Sequence, residues 1–240
     1  MGEALSGRRA AGRRLTPTQV RDMFTRVAPR YEIGNTAMTL GLSRRWRREI
    51  MRRSRLRPGD VVLDLATGTG QLARDALTAE PDSRVIGADL TPAMLEQARE
   101  RSPGRPIVWA CMDAHNLPFP DSSVDVVTHG YLLRYLDLEA GLREQHRILV
   151  DGGRLVALET SPGSPTRAGR IAARVTSFWP RMVGRMVGQP GDYEYLQDSS
   201  LAFVSPDEVV EALRQAGFSE CGYRRYLAGM LTVFWATKRS

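Results

Sequence analysis

The chain has 240 residues, of which 42% are hydrophobic and 25% charged, with a formal charge of +7. That length supports one generous core without disulfide or metal staples, and no run of about 18 apolar residues offers a membrane span. Cys111 and Cys221 are the only cysteines and show neither metal spacing nor a disulfide framework, so no metal is expected and a reducing, cytoplasmic setting is.

Of the 34 basic residues only Lys238 is a lysine. Arginine is densest over 44–57, with eight against the single acid Glu49, and over 166–187, with five and no acid. Such stretches read as solvated basic faces, or as contacts with an anionic partner. Residues 1–15 are small, polar and basic, the composition of a disordered tail. No apolar leader opens the chain.

From Thr16 the pattern becomes helical. Pro17 suits a first turn, and Val20, Met23, Phe24 and Val27 share one face. Pro29 ends this helix, and Tyr31 to Asn35 read as a turn. A second helix over 43–53 turns Trp46 and Ile50 inward and leaves its arginines outside. The segment 16–57 thus reads as the N-terminal helical part of a single domain over 16–240.

Val61 to Leu65 is a buried strand that carries Asp64 near its end. Gly68-Thr69-Gly70 is a tight turn after it, and Gln71 to Leu77 starts a helix. Strand, glycine turn, helix is the first half of a nucleotide-binding βαβ unit. Arg84 to Asp89 is a second strand, followed by a helix from Thr91-Pro92 to about Arg101. Ile107 to Met112 is a third strand, closing on Asp113. Asp125 to Thr128 is a fourth, with His129 at its end. A helix over 138–149 stops at Asp151-Gly152-Gly153, a turn signal, and Arg154 to Glu159 is strand five. The alternation predicts an α/β fold: a doubly wound, mostly parallel seven-stranded sheet with helices on both faces.

Over 161–204 the rhythm changes. Ile171, Val175, Phe178 and Trp179 form an apolar stripe, broken at Pro180 and resumed by Met182, Val183, Met186 and Val187. A basic stripe of this kind suits a lid over an apolar substrate, or a membrane-surface face. Ser205 then caps a helix to about Ala216, and two strands, 221–227 and 230–237, close the chain.

Two ligands compete for the glycine turn. Gly68 to Ala73 fits the dinucleotide pattern GxGxxA, with Asp89 19 residues after Gly70 in the place of a ribose-binding acid. Asp64 opposes a pyrophosphate, because like charges repel. It suits S-adenosylmethionine, which carries an ammonium and a sulfonium and no phosphate. Asp89 can accept from ribose hydroxyls, and Asp113 from the adenine amine.

The string then resembles a class I S-adenosylmethionine-dependent methyltransferase, and more narrowly the ubiquinone/menaquinone biosynthesis C-methyltransferase family, over about 20–238. The resemblance rests on Met23-Phe24 through Ala28-Pro29-Arg30-Tyr31, Gly41-Leu42 through Trp46-Arg47-Arg48, and Asp64 to Gly70. It continues in Asp113-Ala114 through Leu117-Pro118-Phe119, Arg147-Ile148-Leu149 with Gly152-Gly153-Arg154-Leu155, and Tyr193 through Tyr195-Leu196 to Ser199. It implies S-adenosylmethionine contacts at Thr69, Asp89, Asp113 and Ala114, beneath a helical cover over 16–57 that carries Tyr31 and Asn35, and Asp64, Gly68, Gly70, Leu90 and Gly130 are the further candidate contacts. The chain departs from the family at Glu32, where Asp is usual. It also departs at Tyr131-Leu132-Leu133-Arg134-Tyr135-Leu136, where Phe-Gly-Leu-Arg-Asn-Val is usual and a residue is deleted just after. Arg134 survives and its asparagine neighbour does not.

In-line methyl transfer needs placement and exclusion of water more than chemistry from the protein. Arg134 is the candidate to stabilise a phenolate, and His129 or Tyr31 to handle the proton. The implied partner is a lipophilic or aromatic small molecule such as demethylmenaquinol, with a membrane surface and a second copy of the chain as further candidates. Recruitment of the family scaffold to another phenolic acceptor is the rival expectation. A basic nucleic-acid or membrane binding module with an inactive cofactor fold is a third reading, and no RNA-binding motif supports it.

Overall fold

The computed structural model describes residues 15–39, 41–161, 179–201 and 203–239. The basic tail up to residue 14 and the stripe residues Ile171, Val175 and Phe178 lie outside them.

Helix α1 (Pro17–Val27) starts with a reciprocal capping box between Thr16 and Gln19, and buries Met23 and Val27. A cap of this kind contributes about 1 kcal/mol. The expected turn at Tyr31 is a helix, α2 (Tyr31–Met38), reached through a 3-10 turn at Ala28–Arg30. Pro29 sits near the start of that turn, where a missing N–H costs nothing. Gly34 suggested a turn and serves packing instead. A Cβ there would lie 1.6 Å from the Tyr193 hydroxyl, so only glycine admits the tyrosine. Helix α3 (Ser43–Ser54) turns Trp46 and Ile50 inward as expected.

Helix α4 (Gln71–Ala79) joins strand β1 (Val61–Leu65) to β2 (Arg84–Asp89), helix α5 (Pro92–Glu100) joins β2 to β3 (Ile107–Cys111), and β4 (Val124–Gly130) follows β3 without a helix between them. Helix α6 (Leu138–Ile148) leads directly into β5 (Leu149–Thr160). Gly152-Gly153 therefore lies within the strand. Val124 pairs with Leu149 and Val126 with Arg154, so the extra residues loop out between them. A Cβ on Gly153 would stand 2.7 Å from the Val150 carbonyl oxygen, which is why glycine marks an irregularity here.

After the undescribed stretch come α7 (Trp179–Met186), α8 (Pro190–Leu201) and α9 (Pro206–Gln215), the last with a Ser205/Glu208 capping box. Strands β6 (Phe218–Tyr226) and β7 (Leu231–Lys238) complete a seven-stranded sheet in the order β3-β2-β1-β4-β5-β7-β6. The first five strands are parallel, and β7 inserts antiparallel to both neighbours. Successive strand residues face opposite sides. Val62 and Val126 pack against Ala73 and Ala76 of α4, while Leu63 and Val127 pack with Leu142 of α6 and Val209 of α9. Trp46 and Ile50 seat α3 on Val156, Leu158 and Val233.

Helices α1 and α2 pack with α7 and α8 in one layer beside the carboxyl ends of the strands. Val183, Val187 and Tyr193 pack against Ala37 and Met38 of α2. Trp179 Nε1 donates to the Ala37 carbonyl at 3.0 Å, and Arg26 pairs with Asp192 at 2.6 Å. Among the described residues no helix is long and apolar enough to cross a membrane.

Candidate active site

The strand order reverses between β1 and β4, and a crevice opens there outside the strand ends, as it does in doubly wound sheets generally. Asp64, Gly68, Thr69 and Gly130 line it from below, and Tyr31 and Asn35 of α2 line it from above. Tyr131, at the mouth, holds a left-handed backbone (φ 62°) immediately after β4. Such strain in a tyrosine costs roughly 1–3 kcal/mol and tends to mark a functional turn.

Two of the three strand-end acids are buried. Asp64 is 1% exposed, and accepts from the Thr67 hydroxyl at 2.5 Å, the Thr128 hydroxyl at 3.1 Å and the Ala73 N–H at 3.1 Å. Burial dominates over these bonds and lifts its pKa to about 7. Asp89 accepts from the N–H groups of Gly68 and Thr91, both at 2.8 Å. Burial raises its pKa as well. Among the described residues neither carboxylate forms an ion pair with an arginine or lysine. Buried carboxylates in that condition favour a cation.

Asp113 is different. It is half-exposed, and His115 both donates its backbone N–H and places Nδ1 at 2.9 Å from the same carboxylate oxygen. His115 Nε2 accepts from the Asp137 N–H at 3.1 Å, so the proton resides on Nδ1. Burial works upward on the Asp113 pKa, and the bonds from His115 outweigh it and hold the group low. Ala114 follows in the same turn, packed against the core below, and Leu90 lies just beyond Asp89, half-buried.

The two glycines of the turn do different work. Space in front of Gly68 (φ 55°) is open for 4 Å, so its backbone faces the crevice. A Cβ on Gly70 (φ 80°) would meet the Trp109 ring at 2.4 Å. Gly70 is therefore required by its left-handed backbone and by Trp109, and its placement does not depend on a ligand.

Glu32 of α2 stands beside the crevice. Its carboxylate accepts from Thr69 Oγ1 and from Gln71 Nε2 through two very short hydrogen bonds. It thus clasps α2 to the glycine turn, and the crevice has a volume of about 70 Å³.

Arg134 lies in a 3-10 turn (Leu133–Tyr135) beyond β4, between the rings of Tyr131 at 5.5 Å and Tyr135 at 5.7 Å. Its guanidinium pairs with Glu159 at the end of β5 at 2.7 Å, with side-chain exposures of 5% and 0%. It also donates to the Leu196 carbonyl at 3.3 Å. Tyr135 meets Phe24 of α1 edge to face at 5.8 Å. Burial pushes the Tyr131 and Tyr135 hydroxyls up to about 12, and the Tyr31 hydroxyl higher still.

The expected role of His129 does not fit its position. The residue is fully buried, pairs in register with Leu65 and Ala157, and shares the sheet face of Val127 toward Gln145 of α6. Burial lowers its pKa to about 4. Strand alternation turns it into the core, away from the crevice, so it cannot reach a substrate proton.

Two residues joined to this region had been missed. Arg47, expected on the outside of α3, turns inward to Asp75 at 2.6 Å and Gln71 at 2.6 Å and reaches the crevice wall. Only its place beside Trp46 on the apolar face could have signalled this. Glu159 is a fourth acid at the carboxyl end of a strand, and the same rule that singled out Asp64, Asp89 and Asp113 would have found it.

The chain matches the ubiE/COQ5 methyltransferase family over residues 13–238. It is 36% identical over 225 residues to the ubiquinone/menaquinone biosynthesis C-methyltransferase UbiE of Desulfotalea psychrophila, covering 91% of this chain and 90% of the relative. It is 35% identical to the demethylmenaquinone methyltransferase of Deinococcus radiodurans, covering 92% of each. Among solved structures, the cyclase SpnF superposes with a TM-score of 0.69 at 18% identity, covering 93% of this chain and 96% of that one. Phosphoethanolamine N-methyltransferase 2 of Haemonchus contortus, in complex with S-adenosyl-L-methionine, superposes with a TM-score of 0.60 at 16% identity, covering 82% and 53%. At those identities the structural likeness establishes the fold, and the sequence match establishes the lineage: the chain belongs to the ubiE/COQ5 methyltransferase family and is a methyltransferase of the class I fold.

Proposed function

We propose that the protein transfers a methyl group from S-adenosylmethionine to a ring carbon of a lipophilic quinol or phenol such as demethylmenaquinol. One observation carries the reading: Asp64 and Asp89 stand buried beside the glycine turn with no arginine or lysine paired to them among the described residues, and Tyr31 and Tyr131 line the same crevice as Asp64. S-adenosylmethionine fits the lower part by charge. Asp64 faces its cationic end, Asp89 offers remaining lone pairs to ribose hydroxyls, Asp113 lies at the end of the neighbouring strand for the adenine amine, and the open face of Gly68 admits close approach. Leu90, Ala114 and Gly130 complete the wall, and Thr69 and Arg47 are placed for the methionine carboxylate.

When bound, the cofactor supplies an electrophilic methyl on a sulfonium. The protein's part is to hold the acceptor on the methyl axis and keep water out. Tyr131 and Tyr135 offer ring faces to an aromatic acceptor. Tyr31, whose hydroxyl keeps its proton far above neutral pH, acts as a donor to the acceptor oxygen and not as a base. Arg134 is already neutralised by Glu159, so it orients the tyrosines and shares a hydrogen bond with a phenolate without giving it a whole counter-charge.

The closed crevice is well below the roughly 300–1,000 Å³ of ordinary ligand pockets. The cover formed by α1 and α2 with α7 and α8 therefore works as a lid, with Glu32 releasing Thr69 and Gln71 when the cofactor enters. Ile33, Leu42 and Met186 on the cover helices are exposed large apolar side chains, and they bring this face to a membrane surface from which a lipophilic acceptor enters.

Tyr135, packed on Phe24 where the family carries asparagine, favours a second acceptor class of smaller phenols. Methyl-transfer assays on demethylmenaquinol beside a panel of phenols test both. Turnover of neither overturns the reading.

A further inference from the structure

A second cavity, of about 440 Å³, opens between the turn after α2, the first turns of α3, and α4, on the far side of the wall formed by Arg47 and Gln71. Four guanidinium groups line it, those of Arg44, Arg47, Arg74 and Arg105, against the single carboxylate of Asp75. Asp75 is committed to Arg47. Arg74 is held in place by donating to the Thr69 carbonyl at 2.7 Å and the Ser102 hydroxyl at 3.2 Å. Among the described residues Arg105 reaches the Thr78 hydroxyl at 3.3 Å and, weakly, the Arg74 carbonyl at 3.5 Å. Arg44 is exposed and has no hydrogen bond or ion pair among the described residues.

The crowding is unfavourable as it stands. Burial, aided by Arg105 and Arg101, lowers the Arg74 pKa. The adjoining crevice has the one acid Asp64 and shares Arg47 with the cleft, whereas Arg44, Arg74 and Arg105 line the cleft alone. Guanidinium groups converging from different helices fit the tetrahedral oxygens of a phosphoryl group better than a single carboxylate.

We propose that this cleft is a binding site for a phosphoryl or diphosphoryl anion, held by Arg44, Arg74 and Arg105. Neither S-adenosylmethionine nor a quinol carries such a group, so the site lies apart from the methyl-transfer reaction. The anion comes either from a soluble phosphorylated compound or from the headgroup of an acidic lipid.

The test is calorimetric titration of inorganic pyrophosphate into the full chain, with and without saturating S-adenosylhomocysteine. Flotation with phosphatidylglycerol and phosphatidylcholine vesicles runs beside it. Pyrophosphate is expected to bind equally in both conditions, and at least about tenfold more weakly to Arg44→Ala/Arg105→Ala, whose S-adenosylhomocysteine affinity stays unchanged. Binding of pyrophosphate without flotation identifies a soluble source. Flotation on phosphatidylglycerol that pyrophosphate reverses identifies a lipid headgroup. The proposal is overturned if neither binds, if the double variant binds pyrophosphate like the wild type, or if S-adenosylhomocysteine displaces it, since the cleft would then belong to the cofactor site. The direct titration needs no methyl donor, so its failure is distinct from failure of the methyltransferase reading.

Discussion

Asp64 makes cofactor affinity depend on pH in a way that can be worked out beforehand. In the free protein its carboxyl titrates near 7, because burial outweighs the bonds from Thr67, Thr128 and Ala73. Unfolded, the group titrates near the ordinary 3.9. Its contribution to stability is therefore complete below about pH 4 and is lost as the pH rises through 7. A bound cation reverses this by favouring the ionised form, so binding expels the proton. Below pH 7 that expulsion costs up to tenfold in affinity per pH unit, and from pH 7 to 5.5 the dissociation constant should rise by about fifteenfold, about 1.5 kcal/mol. The ammonium of the cofactor stays protonated over this range. Asp89 shifts in the same direction and steepens the slope. The assay is calorimetry with S-adenosylmethionine on the wild type and Asp64→Asn, which should bind weakly and with a much flatter profile. A flat wild-type profile, or an unchanged slope in Asp64→Asn, refutes the reasoning.

Arg134→Ala and Glu159→Gln each strip a buried ion of its partner at a cost of about 3–5 kcal/mol, lowering Tm by roughly 10 °C in a thermal melt. Arg134→Met with Glu159→Leu should recover most of that stability but not the turnover. Glu32→Ala should lower hydrogen-exchange protection over 31–38 and speed cofactor association severalfold in stopped-flow. Gly34→Ala forces a Cβ into the Tyr193 hydroxyl, and chemical denaturation should show a loss of about 1–3 kcal/mol. Tyr135→Asn should move kcat/KM toward demethylmenaquinol over smaller phenols by about tenfold.

The sheet was legible because buried strands announce themselves twice, by apolar runs and by the acids that end them. Strand β2 spans Arg84 to Asp89 as read, and capping chemistry located α1 and α9 by Thr16 and Ser205. Errors came where one residue type serves two purposes. Gly34 and Gly152-Gly153 looked like turns, yet one accommodates Tyr193 and the others sit in an irregular stretch of β5. His129 stands at a strand end, but the alternation of β4 turns it to the core, which the chain position alone does not disclose. Arg47 is committed to a partner 28 residues away, and pairing of that range leaves no local pattern, whereas Glu159 stands at a strand end and was open to the same reading as the other acids. The acids of the crevice were visible because each ends its own strand.

The central claim is methyl transfer to a phenolic ring carbon in the crevice between β1 and β4. The most direct measurement incubates the protein with methyl-labelled S-adenosylmethionine and demethylmenaquinol in detergent or vesicles and follows the label. The account predicts label on a ring carbon of the quinol product, lost in Asp89→Ala. Label on an oxygen, or no transfer to demethylmenaquinol or any phenol from a protein that binds the cofactor, would contradict it.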